Sequence, residues 1–132
     1  MSAEQVARPG GCACGAIRFV ATGSAARSGL CHCLTCQKAH AAPFFPFVVF
    51  RREQVALTGA SVSWETSPGY DRAFCGACGA HAFALSGKEI EVSSSAFDDA
   101  SAFPPQYESW VIRRVPWLTA LHVPQFENNR TA

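Results

Sequence analysis

The sequence predicts a single, mainly β domain, and three observations carry that prediction. Short runs rich in β-branched and aromatic residues recur along the chain between turn formers. Two of these runs alternate in polarity with period two. Only two short stretches have the composition of a helical turn. With 132 residues, 48% of them hydrophobic and 16% charged, the chain is long enough to bury a core and too apolar for the disordered class.

Taken in order, AIRFVA (16–21) sets Ile17, Phe19 and Ala21 against Ala16, Arg18 and Val20, the alternation of a half-buried strand. FVVF (47–50), VALTG (55–59), SVSWE (61–65) and HAFAL (81–85) read as further strands. In EIEVSS (89–94), Ile90 and Val92 alternate with Glu89, Glu91 and Ser93, and WVIRR (110–114) completes the set. TCQKAHA (35–41) and residues 98–102 are the two candidates for short helical turns. The domain organisation that follows is an N-terminal lead at 1–9, one domain at 10–124 and a polar tail at 125–132, whose ENNRTA end (127–132) is expected to fray.

Charge and hydropathy exclude two classes of partner. A formal net charge of +1 offers no broad field for nucleic acid, and the pairs Arg51-Arg52 and Arg113-Arg114 read as solvated strand ends. The most apolar stretch, AAPFFPFVVF (41–50), is far shorter than the roughly 20 residues of a membrane-spanning helix. It also contains Pro43 and Pro46, so it reads as core rather than membrane segment. The opening MSAEQVARPG is polar and lacks the apolar centre of a secretory signal, which predicts a cytoplasmic, reducing environment.

In such an environment seven cysteines read as metal ligands more readily than as disulfides. They fall into three groups. Cys75-x-x-Cys78-Gly79 has the form of a zinc knuckle, in which backbone amides turn toward the sulfurs and a glycine relieves the turn. Cys12-x-Cys14 is flanked by Gly10, Gly11 and Gly15, a backbone tight enough to turn both thiols onto one ion. LCHCLTCQKAH (30–40) holds Cys31, Cys33 and Cys36. If the first two pairs share an ion they close a structural four-cysteine site, and three ligands with one open position remain, the arrangement of a catalytic zinc. Spacing leaves two other divisions open. Cys33-x-x-Cys36 could join Cys75-x-x-Cys78 as a zinc ribbon, or His32 or His40 could add a fourth ligand to the triad.

Four motifs, GGCACGAIRF (10–19), CHCLTCQKAHAAPF (31–44), FCGACG (74–79) and PWL (116–118), resemble, in that order, the glutathione-dependent formaldehyde-activating enzyme family. The resemblance implies a β-tent fold of small antiparallel sheets with two zinc ions per chain. A structural ion would fall to Cys12, Cys14, Cys75 and Cys78, and a second ion to Cys31, Cys33 and Cys36. The activity implied is the reversible addition of glutathione to formaldehyde, giving S-hydroxymethylglutathione, a carbon-sulfur lyase reaction. The partners implied are a small thiol such as glutathione and a small carbonyl compound. Gln37, Ala41 and Glu108 stand where the family commonly has Arg, Gly and His, and these changes bear on the substrate, because a site for an anionic thiol is expected to gain cations rather than lose them.

The chemistry suits the donor set. A zinc ion held by three thiolates is a poor activator of water but a good ligand for a thiol, which can ionise and attack a neighbouring carbonyl. The added negative charge calls for compensation, for which Lys38 and His32 are the candidates, and APFFPF (42–47) is a candidate dry wall. The alternative is a non-catalytic, zinc-stabilised binding or scaffold module. A homodimer through an exposed strand edge is compatible with either.

Overall fold

The computed structural model describes residues 6–131; residues 1–5 of the lead and Ala132 of the tail lie outside the described residues. In chain order the elements are β1 (Ala7–Gly11), β2 (Arg18–Thr22), β3 (Arg27–Cys31), α1 (Leu34–His40), β4 (Phe45–Arg51), β5 (Val55–Thr58), β6 (Ser61–Ser67), β7 (Tyr70–Cys75), β8 (His81–Ser86), β9 (Glu89–Ser93) and β10 (Glu108–Ser109). Single 3-10 turns occupy Arg52–Gln54, Ser94–Ala96 and Val111–Arg113. A three-stranded sheet runs β1-β2-β5 and a seven-stranded sheet runs β10-β3-β4-β9-β8-β7-β6. All pairings are antiparallel except β10 with β3. The mainly β class holds, and the two-sheet arrangement agrees with a β-tent.

The apolar pattern explains the layering. In β2, Phe19 and Ala21 are buried while Arg18, Val20 and Thr22 are exposed. In β9, Ile90 and Val92 point into the same core. These side chains meet Ile17, Val48, Phe50, Phe83 and Phe97 between the two sheets. Full burial of a ring such as Phe50 is worth about 1.5–3 kcal/mol over leaving it in water. Strand β4 is different: Val48 and Phe50 face this core, whereas Phe45, Phe47 and Val49 pack with Cys36 and Tyr107 in a second cluster. A strand covered on both faces must be apolar at successive positions, which is why FPFVVF shows no alternation. Pro46 fits because it lies outside the ladder with β9, which begins at Phe47. The small sheet is bridged to the segment after β9 through Gly10 and Phe97. A Cβ at Gly10 would stand 2.4 Å from both the Ala96 carbonyl oxygen and the Phe19 ring, so only glycine lets the two sheets close there.

Several expectations are corrected. Strands β1, β3 and β7 form where none was expected, and β1 begins inside the polar lead. The run at 110–114 is not a strand. Trp110 takes the left-handed conformation (φ 56), and the chain turns because Trp110 and Val111 N–H donate to the Asn128 and Phe126 carbonyls; tertiary hydrogen bonds override the β propensity of those residues. The same bonds pin the tail, with Phe126 N–H donating to Glu108 C=O at 2.9 Å, so the residues expected to fray are held at least as far as Asn129. Residues 98–102 form a turn rather than a helix: Ser101 N–H and Oγ both donate to Asp99 Oδ1, and the Asp98 carboxylate receives both terminal nitrogens of Arg18.

The expected helical turn at 35–41 is present as α1, capped at its start by Cys33, whose Sγ accepts the Cys36 N–H at 3.2 Å. Its end is capped by Ala41 in the left-handed region, φ 48 and ψ 46, a position that glycine fills without Cβ strain. Ala41→Gly is expected to raise stability by about 1 kcal/mol, seen as a higher urea midpoint at unchanged slope.

Candidate metal centres

The seven sulfurs gather as four and three. The Sγ atoms of Cys12, Cys14, Cys75 and Cys78 lie within 4.8 Å of one another, as do those of Cys31, Cys33 and Cys36. Local backbone builds the first cluster. Between β1 and β2 the chain turns tightly, with Cys12 N–H donating to the Ile17 carbonyl and Ile17 N–H donating to Cys12 Sγ at 3.2 Å. Gly15 takes φ 83 to complete the turn. At the end of β7, Ala77 and Cys78 N–H donate to Cys75 Sγ at 3.4 and 3.5 Å, and Gly79 follows at φ 77, the knuckle geometry that the spacing predicts. Cys14 Sγ stands 3.7 Å from both Cys12 Sγ and Cys75 Sγ. Zinc-sulfur bonds of about 2.3 Å in a tetrahedron put sulfurs about 3.8 Å apart, so the donor set fits a tetrahedral zinc ion. The thiols ionise unequally: Cys12 is lowered to about 6, chiefly by the Ile17 N–H, with burial opposing and the three neighbouring cysteines assisting, whereas Cys14, despite a lowering backbone hydrogen bond at Ala16, is pushed up to about 11 by the same crowding.

The triad is assembled by the end of β3 (Cys31), the cap of α1 (Cys33) and the first turn of α1 (Cys36). Crowding shifts the thiols apart. Hydrogen bonds from Cys31 and Cys36 pull Cys33 down, while Cys33 pushes Cys31 up and Cys31, then Cys33, push Cys36 up. Three bare thiols so placed cannot all ionise, and a cation bound among them would remove the conflict. A cleft of about 450 Å³ opens over this triad, and its wall includes Phe45 and Phe47 from the APFFPF segment. None of Cys12, Cys14, Cys75 and Cys78 lines it.

The cation beside the triad is one the sequence did not suggest. Arg72, on β7 and 5% exposed, donates from Nη2 to Cys36 Sγ at 3.4 Å and from Nη1 to His40 Nε2 at 3.3 Å. Burial first, then the positive charge of Arg72, pushes the His40 imidazole down to about 4, so it is the neutral acceptor of that bond. His40 is stacked on Phe45 and joins no cysteine cluster. His32 does not join one either. It is fully buried, and its Nε2–H donates to Glu108 Oε1 at 2.7 Å. The zinc-ribbon division and the histidine-ligand division both give way to four plus three. Lys38 is exposed on α1, and neither Lys38 nor His32 lines the cleft.

The departures at 37 and 108 also change meaning. Gln37 does not face the cleft; its Nε2 donates to the carbonyls of His32 and Arg113 at 2.8 and 2.9 Å, tying α1 to the segment after β10. Glu108, 1% exposed, lies behind the cleft. It accepts from His32, from Leu121 N–H at 2.8 Å and from Gln125 Nε2 at 2.8 Å, with Arg114 at 3.5 Å. Burial works to raise its carboxyl, but these hydrogen bonds and the Arg114 charge outweigh it and hold the group below the usual carboxylate range. Among the described residues the cleft wall carries Arg27, Arg72 and Arg130 and one carboxylate, Glu91; with Arg27 paired to Glu89, Arg72 and Arg130 still leave the wall positive without Arg at 37.

Fold and site together define a mainly β protein with two thiol-built positions able to hold metal, one closed into the sheet turns and one at the floor of a cleft. The family model described as glutathione-dependent formaldehyde-activating enzyme matches residues 7–113, and the chain belongs to that family. A crystal structure of a Rhodobacter sphaeroides protein has a similar fold, with a TM-score of 0.58 at 18% identity, covering 69% of this chain and 88% of that one. No curated protein matches the chain. Among the described residues no helix is long and apolar enough to cross a membrane. Membership connects the chain with the glutathione and formaldehyde chemistry for which the family is named.

Removing the buried anion leaves His32, the Leu121 N–H and Arg114 facing nothing. Glu108→Ala is therefore expected to cost about 3–5 kcal/mol, measured by urea unfolding, with Glu108→Gln losing less because it keeps an acceptor.

Proposed function

We propose that the protein catalyses the reversible addition of a thiol, glutathione or a close relative, to formaldehyde or a related small carbonyl compound, a carbon-sulfur lyase-type reaction. In this reading Cys12, Cys14, Cys75 and Cys78 hold a structural zinc ion, and Cys31, Cys33 and Cys36 hold a second one. The observation that carries the reading is the position of the triad: three thiols at the floor of an open cleft, backed by a buried arginine, while the four-thiol cluster lies outside that cleft. When bound by three protein thiolates, zinc keeps a position for an incoming thiol and favours its ionised form.

The chain's own residues do the remainder. Arg72 offsets the negative charge collected on the triad through its contact with Cys36. Phe45 and Phe47 exclude water on one side, which strengthens every charge interaction inside. Arg130 offers positive charge to the carboxylates of a glutathione-like thiol, whereas Arg27 is held by the Glu89 carboxylate through both terminal nitrogens. His32, bonded to Glu108, fixes β10 against β3 next to Cys31, so its part is positioning; Lys38 would add only a solvent-screened charge. Addition in water already proceeds, so holding thiol and carbonyl side by side supplies much of the acceleration.

Cys33→Ala and Cys75→Ala, compared with wild type, separate this reading from a scaffold with two structural ions. Wild type is expected to carry two zinc ions per chain and to accelerate exchange between formaldehyde and its glutathione adduct. Cys33→Ala should keep one ion and a near-native melting temperature but lose at least about a hundredfold in turnover. Cys75→Ala should forfeit folding energy on the order of 10 kcal/mol and not fold. A Cys33→Ala chain that collapses like Cys75→Ala, or a zinc-loaded wild type that accelerates no thiol addition, favours the scaffold.

A further inference from the structure

Adding a thiolate to a carbonyl leaves an alkoxide, which must gain a proton, and cleavage of the adduct starts by removing that proton again. The triad supplies neither step. Among the titratable side chains of the cleft wall, the arginines keep their protons. Tyr70 and Tyr107 are pushed by burial above the ordinary phenol range. Among the described residues the one carboxyl of the wall is Glu91.

Its position follows from strand geometry. Ile90 and Val92 point into the core between the sheets, so Glu91, between them on β9, leaves from the opposite face toward the cleft. Tyr70 O–H donates to Glu91 Oε1 at 3.1 Å. The Tyr70 ring lies beneath the Arg72 guanidinium, 5.0 Å from its centroid, and Arg72 reaches Cys36 Sγ. A continuous line of contacts thus runs from the triad to the carboxyl.

Resting on the thiol-addition reading above, we infer that Glu91 is the proton-transfer residue of this cleft, giving its proton to the nascent oxyanion in addition and taking it back in cleavage. The sulfur lone pair forms the C–S bond while the carbonyl π pair moves onto oxygen. That oxygen takes the Glu91 proton, leaving a carboxylate. The proton lost when the thiol ionised returns to Glu91 through solvent, so atoms and charge balance without an oxidant or co-reactant. Cleavage runs the same transfers backward.

The surroundings suit both directions. Burial raises the Glu91 carboxyl, and the Tyr70 hydrogen bond and the charges of Arg27 on β3 and Arg72 on β7 oppose this, while Glu89 on its own strand adds to it; the net displacement is upward. Directly across the ladders stand Val49 on β4 and Ala84 on β8, both uncharged. A carboxyl moved toward neutrality is a better donor to an alkoxide and a better acceptor from a hydroxyl.

Glu91→Gln keeps the shape and the Tyr70 contact while removing the proton, and Glu91→Asp restores a carboxyl. With zinc-loaded protein, Glu91→Gln is expected to lower kcat for addition by about a hundredfold, with KM for glutathione within about twofold and Glu91→Asp recovering part of the loss. In wild type, addition should decline as pH rises through the Glu91 pKa, and cleavage should decline as pH falls through it; both limbs should vanish in Glu91→Gln. A carbon-13 titration of the side-chain carboxyls, assigned by the same variant, should place Glu91 above ordinary glutamates. An active wild type with Glu91→Gln within about threefold of it and both limbs retained overturns this inference alone. A wild type that does not catalyse thiol addition overturns the functional reading and this role with it, and an ordinary Glu91 titration overturns the role whatever the turnover.

Discussion

Strand β4 has to satisfy two environments at once, and the rest of the molecule is arranged around that requirement. Val48 and Phe50 close the core between the sheets, while one residue out of phase Phe45, Phe47 and Val49 form the apolar wall behind the triad. A one-residue slip in register would exchange these sets and put the smaller side chains against the cleft. The register with β3 and β9 therefore sets both the stability of the core and the shape of the site. It also separates the two cysteine clusters: one lies in the turns after β1 and β7, the other lies where β3 passes into α1 beside the outer face of β4.

Charge is the second constraint, and it is solved by mutual dependence. A thiolate cluster needs nearby positive charge, and a buried guanidinium needs an anion or acceptors. Arg72 meets Cys36 with one nitrogen and His40 with another while its plane covers Tyr70. A lysine could not make this planar, forked contact. His40 fits the same logic: kept neutral by burial and by Arg72, it can accept a bond that an imidazolium would refuse. The cysteines, the arginine and the histidine are thus one electrostatic unit, though only the cysteines advertise themselves in the sequence.

What could be read from the sequence was whatever is encoded locally. Ligand spacing around Cys12, Cys31 and Cys75, glycines at the turns, the apolar run of β4 and the alternation in β2 and β9 are all short-range signals, and the structure agrees with them. Strands β3 and β7 carry no local strand signal, because Ser28 and Gly29 in the one and Asp71 and Arg72 in the other break the apolar pattern; Arg27 and Arg72 are accommodated by partners far along the chain, Glu89 and the triad, which no window of sequence contains. Gln37 and Glu108 illustrate the converse. Adjacency in sequence to a cysteine, or to a strand of the site, is not adjacency in space. The one faces backbone carbonyls and the other a buried polar cluster.

The tail gives the last step. Residues matching the family model end at 113, yet Asn129 and Arg130 stand in the cleft wall. They are placed there by the Phe126 and Asn128 backbone contacts with β10 and the residues after it, and by the Trp110 indole N–H donating to Asn129. In the proposed reaction the floor, made wholly within the matched region, provides what any thiol and carbonyl require: sulfur ligands, a compensating cation and a proton-transfer group. The rim meets the parts of the thiol that differ between substrates. In that reading Arg130, over the Tyr107 ring at the mouth, selects by carboxylate charge, an effect that acts mainly on binding and weakens with salt. On the proposed reading, chemistry and specificity reside in different stretches of this chain, and family membership speaks to the first more directly than to the second.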